Sequence, residues 1–218
     1  MIIGIDFDNT LVCYDQLLLK LLKEQGFKIK PNITGKKKIR DWVRCQHDGE
    51  SIWQKMQAKA YGPRINEADI FQGAYDFLQL CKKKGVTIYI VSHKTPYAAA
   101  DSHQKNNLRG SAIKFLHKKG FFDNQGGALS QKHIFFENNR YKKINKIKSL
   151  NCDIFIDDLS ELFLDINFPK SIKKILFSPH NPIISAQNPI TAAPNPIIAA
   201  QNINICSNWQ EIAQTIFG

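Results

Sequence analysis

Five short runs of β-branched and apolar residues punctuate this chain of 218 residues: 2–6 (IIGID), 86–91 (VTIYIV), 133–136 (HIFF), 153–157 (DIFID) and 174–177 (KILF). Each has the length of a buried strand rather than of a helix. Between them, apolar residues recur at helical spacing. The segment Phe71 to Lys84 has apolar residues at 74, 77, 78 and 81 and meets Gly85 where a helix would stop. Residues 108–119 and 140–150 repeat the pattern through Leu108, Ile113 and Leu116, then Ile144, Ile147 and Leu150. Residues 203–217 add a last short strand (INIC) and a helix starting near Ser207. Strands alternating with helices predict an α/β fold, a parallel sheet covered on both faces with right-handed crossovers.

The stretch from Tyr14 to about Asp69 breaks the alternation. Leu17, Leu18, Leu21 and Leu22 make one helical stripe, closed by Gly26. Ile39, Trp42 and Val43, then Ile52, Trp53 and Met56, make two more. This is too much helix for a simple crossover, so residues 14–68 are expected to form a small helical cap inserted after the first strand. Residues 1–13 and 69–218 would form the core domain. Within the core, residues 181–201 hold a tandem heptad (NPIISAQ, NPITAAP, NPIIAAQ). A proline in each unit excludes a continuous helix, and the segment is expected to be a duplicated surface loop.

A net charge of +11 admits two explanations. Only five of the 30 basic residues are arginine, and the chain is rich in Lys, Ile and Asn, all with AT-rich codons, so a biased genome accounts for part of it. The functional explanation is an anionic partner, a small phosphorylated molecule first and nucleic acid second. Five scattered cysteines without CxxC spacing, no apolar run near the ~20 residues of a membrane span, and an N-terminus without a secretory signal point to a cytoplasmic protein with reduced thiols and no membrane partner. Oligomeric state is not legible.

Asp6-Phe7-Asp8-Asn9-Thr10 stands at the carboxyl end of the first predicted strand, the edge where open parallel sheets bind ligands. Alternation along an extended segment turns Asp6 and Asp8 the same way, so one carboxylate can attack while the other transfers protons. Asp157-Asp158 ends another strand in the same manner. Carboxylates gathered at one edge repel unless a cation lies among them, and oxygen-only ligands favour Mg²⁺.

Ile3 to Leu11 resembles the opening motif of the haloacid dehalogenase (HAD) superfamily, a hydrophobic strand followed by DxDx(T/V). Ile88-Tyr89-Ile90-Val91-Ser92 resembles its second motif and Ile154-Phe155-Ile156-Asp157-Asp158 its fourth. The third is a lone lysine before that last strand; helical phase selects Lys143, with Lys142 and Lys146 as rivals. The resemblance implies a three-layer Rossmann-like core and a phosphatase-like member with a small helical cap. Asp6 would be the nucleophile that becomes an aspartyl-phosphate, and Asp8 the general acid and base. Ser92, Lys143 and Thr10 would hold phosphate. Mg²⁺ would sit on Asp6, Asp157, Asp158 and the Asp8 carbonyl. Dehalogenases of the superfamily lack the second aspartate, which favours phosphoryl chemistry. Asn9 stands where glycine is common, a place that suits a left-handed turn.

The expected reaction is Mg²⁺-dependent hydrolysis of a phosphate monoester of a small metabolite, a sugar phosphate or nucleotide. The alternatives are a polynucleotide end phosphatase and a catalytically weak phosphate-binding protein of the same fold; a phosphotransferase or mutase would differ only in the acceptor. His93 and Lys94, just past the phosphate site, are expected to touch substrate. Arg40, Arg44 and Arg64 read either as anion contacts or as ion pairs within the cap, and Trp42 and Trp53 as base-stacking or packing residues. His103, Asn107 and Arg109 are weaker candidates. Asp158 reads equally as metal support or as the N-cap of a following helix.

Overall fold

A computed structural model describes residues 1–30, 32–180 and 202–218. Its strands are β1 (Ile2–Ile5), β2 (Val12–Cys13), β3 (Asp69–Ile70), β4 (Thr87–His93), β5 (Ile134–Glu137), β6 (Ile154–Asp157), β7 (Lys173–Phe177) and β8 (Ile203–Cys206). Its α-helices are α1 (Asp15–Glu24), α2 (Lys36–Arg44), α3 (Gly49–Tyr61), α4 (Ala74–Lys83), α5 (Leu108–Lys118), α6 (Arg140–Ser149), α7 (Ser160–Phe163) and α8 (Trp209–Phe217). The heptad segment 181–201 lies outside the described residues. No described helix is long and apolar enough to cross a membrane.

Six strands form one parallel sheet in the order β5-β4-β1-β6-β7-β8. The chain builds outward from β1 through β4 to β5, then returns to the other side of β1 for β6, β7 and β8. The order therefore reverses at β1, and the carboxyl ends of β1, β4 and β6 share the switch-point crevice. Side-chain alternation divides the core. Ile3 and Ile5 join Phe77, Leu78, Phe115, Leu116, Trp209 and Ile212 from α4, α5 and α8. Phe155 joins Ile144, Ile147, Leu162 and Phe163 from α6 and α7 on the opposite face. The result is the expected three-layer α/β architecture.

Gly4 is the residue of β1 that faces Phe155, its register partner on β6. A Cβ there would overlap the Phe155 ring and stand 3.1 Å from Cys152 Sγ. The missing side chain lets that ring approach the strand closely, and the Lys143 ammonium stands 5.5 Å from its centroid. Gly4→Ala is therefore expected to cost about 1–3 kcal/mol through overpacking, lowering the melting temperature by several degrees. An unchanged melting curve would show that the ring yields freely.

Residues 14–68 leave and rejoin the core through β2 and β3, a two-residue antiparallel ribbon pairing Val12 with Ile70 and Cys13 with Asp69. Its helices are amphipathic. Leu17, Leu18, Leu21, Leu22, Ile39, Val43, Trp53 and Met56 are buried, in one apolar cluster with the α4 side of the sheet. The tryptophans take part in packing: Trp53 is buried and Trp42 meets Phe27 edge-on at 5.8 Å. The arginines form ion pairs, Arg64 with Glu24 and Glu67, Arg44 with Glu50, and Arg40 with Asp41. These are exposed contacts of small energetic weight, and of the two earlier readings they realise the ion pair.

Candidate active site

Asp6 follows β1 directly. Its N–H donates to the Ile156 carbonyl at 2.9 Å, which continues the sheet pairing and aims the side chain over the strand ends. Past it the backbone turns sharply. Asn9 takes φ 63°, the left-handed conformation anticipated for this position, and the Val12 N–H returns to the Phe7 carbonyl at 3.0 Å. Both side-chain amide atoms of Asn9 are buried without a hydrogen-bond partner among the described residues. The turn brings Tyr14 back to Asp8, where its hydroxyl donates to Asp8 Oδ1 at 2.7 Å.

Lys143 leaves the first turn of α6, whose N-cap Asn139 accepts the Lys142 N–H. Its ammonium stands 2.5 Å from Asp6 Oδ1 and 2.6 Å from Asp157 Oδ2, with all three residues buried. Lys142 is exposed, and Lys146 lies over the Phe135 ring at 4.7 Å, so Lys143 alone of the three rivals enters the site. Lys94, also buried, reaches Asp8 Oδ2 at 2.9 Å and lies over the rings of Tyr61 and Phe7 at 4.8 and 5.4 Å. Its carbonyl accepts from Arg109 Nε at 2.9 Å.

These groups line a cavity of about 340 Å³. Asp6, Asp8, Ser92, His93, Lys94, Lys143 and Asp158 reach it from the core, and Lys36, Gln54, Gln57 and Tyr61 from the helical insertion. Ser92 is buried at the end of β4, while His93 is exposed and holds the Asn138 carbonyl at 3.0 Å through Nε2. Thr10 is not part of the wall; its buried hydroxyl turns to Asp158 Oδ1 at 3.4 Å. Asp158 is not a helix cap. α7 begins after Leu159, whose N–H donates to Asp157 Oδ1 at 2.9 Å. Asn107 caps α5 by accepting from the Gly110 N–H, which explains its place in the sequence locally.

Burial dominates the electrostatics of the carboxylates. Burial pushes the Asp157 carboxyl up to about 6; Lys143 opposes the shift and the Asp6 charge adds to it. Burial, then the Asp157 charge, raise Asp158 well above the ordinary carboxylate range. Burial alone would lower Lys143, yet Asp157 and Asp6 outweigh it and hold the ammonium above its usual value. Carboxylate oxygens of Asp6, Asp157 and Asp158 lie within 4.8 Å of one another. This hard, all-oxygen set fits Mg²⁺. Asp8 stands apart from it, its carboxylate being occupied by Tyr14 and Lys94.

A pH dependence follows. Because the Asp157 pKa is raised in the fold, the metal-free folded chain holds an extra proton between the ordinary carboxylate value near 4 and about 6. Metal-free stability should fall as pH rises through that window. A bound cation offsets the penalty only once the carboxylates are ionised. At a Mg²⁺ concentration ten times its Kd, the melting temperature at pH 7 should rise by roughly 3–6 °C over EDTA. At pH 4.5 the rise should be much smaller. Paired melts at both pH values check this, and an equal effect at both would contradict it.

Sequence reasoning missed Tyr14, Tyr61, Lys36 and the glutamines of α3. The sequence signal for Lys36 is the basic run Lys36-Lys37-Lys38, which by itself marks charge and not a site. In the fold, burial works against the Lys36 charge, but Tyr61 and Asp158 raise its pKa.

No family model matches the chain, and no curated protein matches it. Among solved structures, it is similar to a haloacid dehalogenase-like hydrolase from Streptococcus pneumoniae (TM-score 0.56, 16% identity, covering 99% of this chain and 97% of that one). It is also similar to a HAD family hydrolase from Deinococcus radiodurans with bound phosphate and sodium (0.56, 13%, 98% and 93%). A third is a HAD-type protein from Bacillus subtilis bound to magnesium (0.51, 13%, 99% and 97%). At these identities the likeness is one of fold.

Proposed function

We propose that this chain, which has the haloacid dehalogenase-like fold, is a Mg²⁺-dependent phosphatase that hydrolyses a phosphate monoester of a small metabolite through an aspartyl-phosphate. The observation that carries the proposal is the Lys143 ammonium held between Asp6 and Asp157, within 2.6 Å of each, at the switch-point edge of the sheet. An anionic nucleophile must approach an anionic phosphate, and fixed positive charge at that point makes the approach affordable. The phosphate and the magnesium bound in two structures of the same fold support this choice of chemistry.

In this mechanism an Asp6 oxygen attacks phosphorus; the new O–P bond forms as the ester P–O bond breaks, and the leaving oxygen takes a proton from Asp8. Water then gives a proton to Asp8 and attacks the phosphoryl group, which releases phosphate and restores Asp6. Tyr14 and Lys94 fix the orientation of the Asp8 carboxylate. Lys143 neutralises Asp6 and the arriving phosphate, and Ser92, buried at the end of β4, would donate to a phosphate oxygen. Asp6, Asp157 and Asp158 would hold Mg²⁺, which supplies charge neutralisation of the phosphoryl oxygens when bound. The helices of residues 14–68 act as a cap that closes the cavity against water and bulky substrates. A cavity of about 340 Å³ suits a small metabolite, whereas the polynucleotide reading draws on net charge alone. Assay of phosphate release from phosphorylated metabolites tests the proposal; release from oligonucleotide ends alone would overturn its substrate class.

A further inference from the structure

The carboxylates form one wall of the cavity, and the helical insertion supplies a wall of donors. Gln54, Gln57 and Tyr61 of α3 line the cavity at i, i+3 and i+7, a single helix face. The Tyr61 hydroxyl is buried and has no hydrogen-bond partner among the described residues. Lys36, the first residue of α2, lines the cavity too, its ammonium 5.5 Å from the centre of the Tyr61 ring. Of the three lysines there, Lys94 and Lys143 reach carboxylates within 2.9 Å. Among the described residues, no carboxylate forms an ion pair with Lys36. α2 begins on Gly35 without a side-chain cap, and its first turn holds Lys36, Lys37 and Lys38, cations where the helix dipole disfavours them. Against burial, the Tyr61 oxygen and the Asp158 and Asp8 charges favour the Lys36 ammonium, but no carboxylate among the described residues contacts it, and a buried hydroxyl without a hydrogen bond is costly. One acceptor-rich, negatively charged group would satisfy both.

We propose that Lys36 and the Tyr61 hydroxyl recognise an oxyanion on the leaving group, so that the substrate is a small phosphate monoester bearing a second anionic group. This rests on the phosphatase reading above and narrows its substrate class. A carboxylate and a second phosphate present the same chemistry to an ammonium and a phenol.

Calorimetric binding to the Asp6→Asn protein in Mg²⁺ tests the inference without requiring turnover. Two matched pairs of probes separate the sources of the anion. They are glycerol 3-phosphate against 3-phosphoglycerate, and fructose 6-phosphate against fructose 1,6-bisphosphate. Inorganic phosphate serves as a fifth probe. In at least one pair the anionic member should bind about tenfold tighter, and Lys36→Gln should remove that preference while changing the neutral member less than about twofold. Tyr61→Phe, which keeps the ring, should reduce the preference severalfold. Equal weakening of both members by Lys36→Gln would overturn the inference and assign Lys36 to the transferred phosphate. Equal affinities within both pairs would overturn it as well. In either case, binding of inorganic phosphate leaves the phosphatase reading standing. Failure of inorganic phosphate to bind would count against that reading and remove the ground for both.

Discussion

Asp6→Asn should lower turnover by at least about 10⁴-fold while the protein stays folded, as expected when the atom that forms the covalent bond is removed. Asparagine keeps the shape of the side chain, and Lys143 keeps its contact with Asp157 at 2.6 Å, so the melting temperature should change by no more than a few degrees. The loss should fall on the rate of the chemical step and leave substrate binding measurable. Acid-quenched wild-type protein should carry the mass of one phosphoryl group on the peptide containing Asp6, and the variant none. Retained turnover in the variant would remove Asp6 from the chemistry.

Lys143→Ala should affect both stability and activity. It leaves the buried Asp6 and Asp157 carboxylates facing each other without the ammonium that separates them. Removing one partner of a buried ion pair costs about 3–5 kcal/mol, a fall in melting temperature of roughly 10 °C. Mg²⁺ should restore part of that stability, because another cation relieves the same repulsion, yet activity should stay low. Lys142→Ala should stay within about 0.5 kcal/mol of wild type, as surface changes do, and Lys146→Ala, which loses its contact over the Phe135 ring, within about 1 kcal/mol. Comparable losses at all three positions, measured by denaturant melts with and without Mg²⁺, would contradict the special place of Lys143.

The fold was legible where burial leaves its mark on sequence. A strand covered on both faces must be apolar throughout, so IIGI, TIYIV and IFID stand out, and the carboxylates after two of them mark the open edge. Lys143 was legible through helical phase, because Ile144 and Ile147 fix which side of α6 faces the sheet. The β2–β3 ribbon was not legible, since two residues per strand carry no periodicity. Neither were the contacts across the cavity. Lys94 meets Asp8 over a separation of 86 residues, and nothing local in either segment encodes the pairing. Nothing in the sequence marks Tyr14 or Tyr61; their hydroxyls distinguish them in the fold, one on Asp8 and one without a hydrogen-bond partner among the described residues. Thr10 fitted the motif by position, but its side chain turns to Asp158 rather than into the cavity.

The most direct measurement is release of inorganic phosphate from a panel of phosphorylated metabolites and oligonucleotides, in Mg²⁺ and in EDTA, with wild type beside Asp6→Asn. The account predicts release from small monoesters that requires Mg²⁺ and vanishes in the variant. Release that persists in EDTA, or that Asp6→Asn leaves intact, would contradict it.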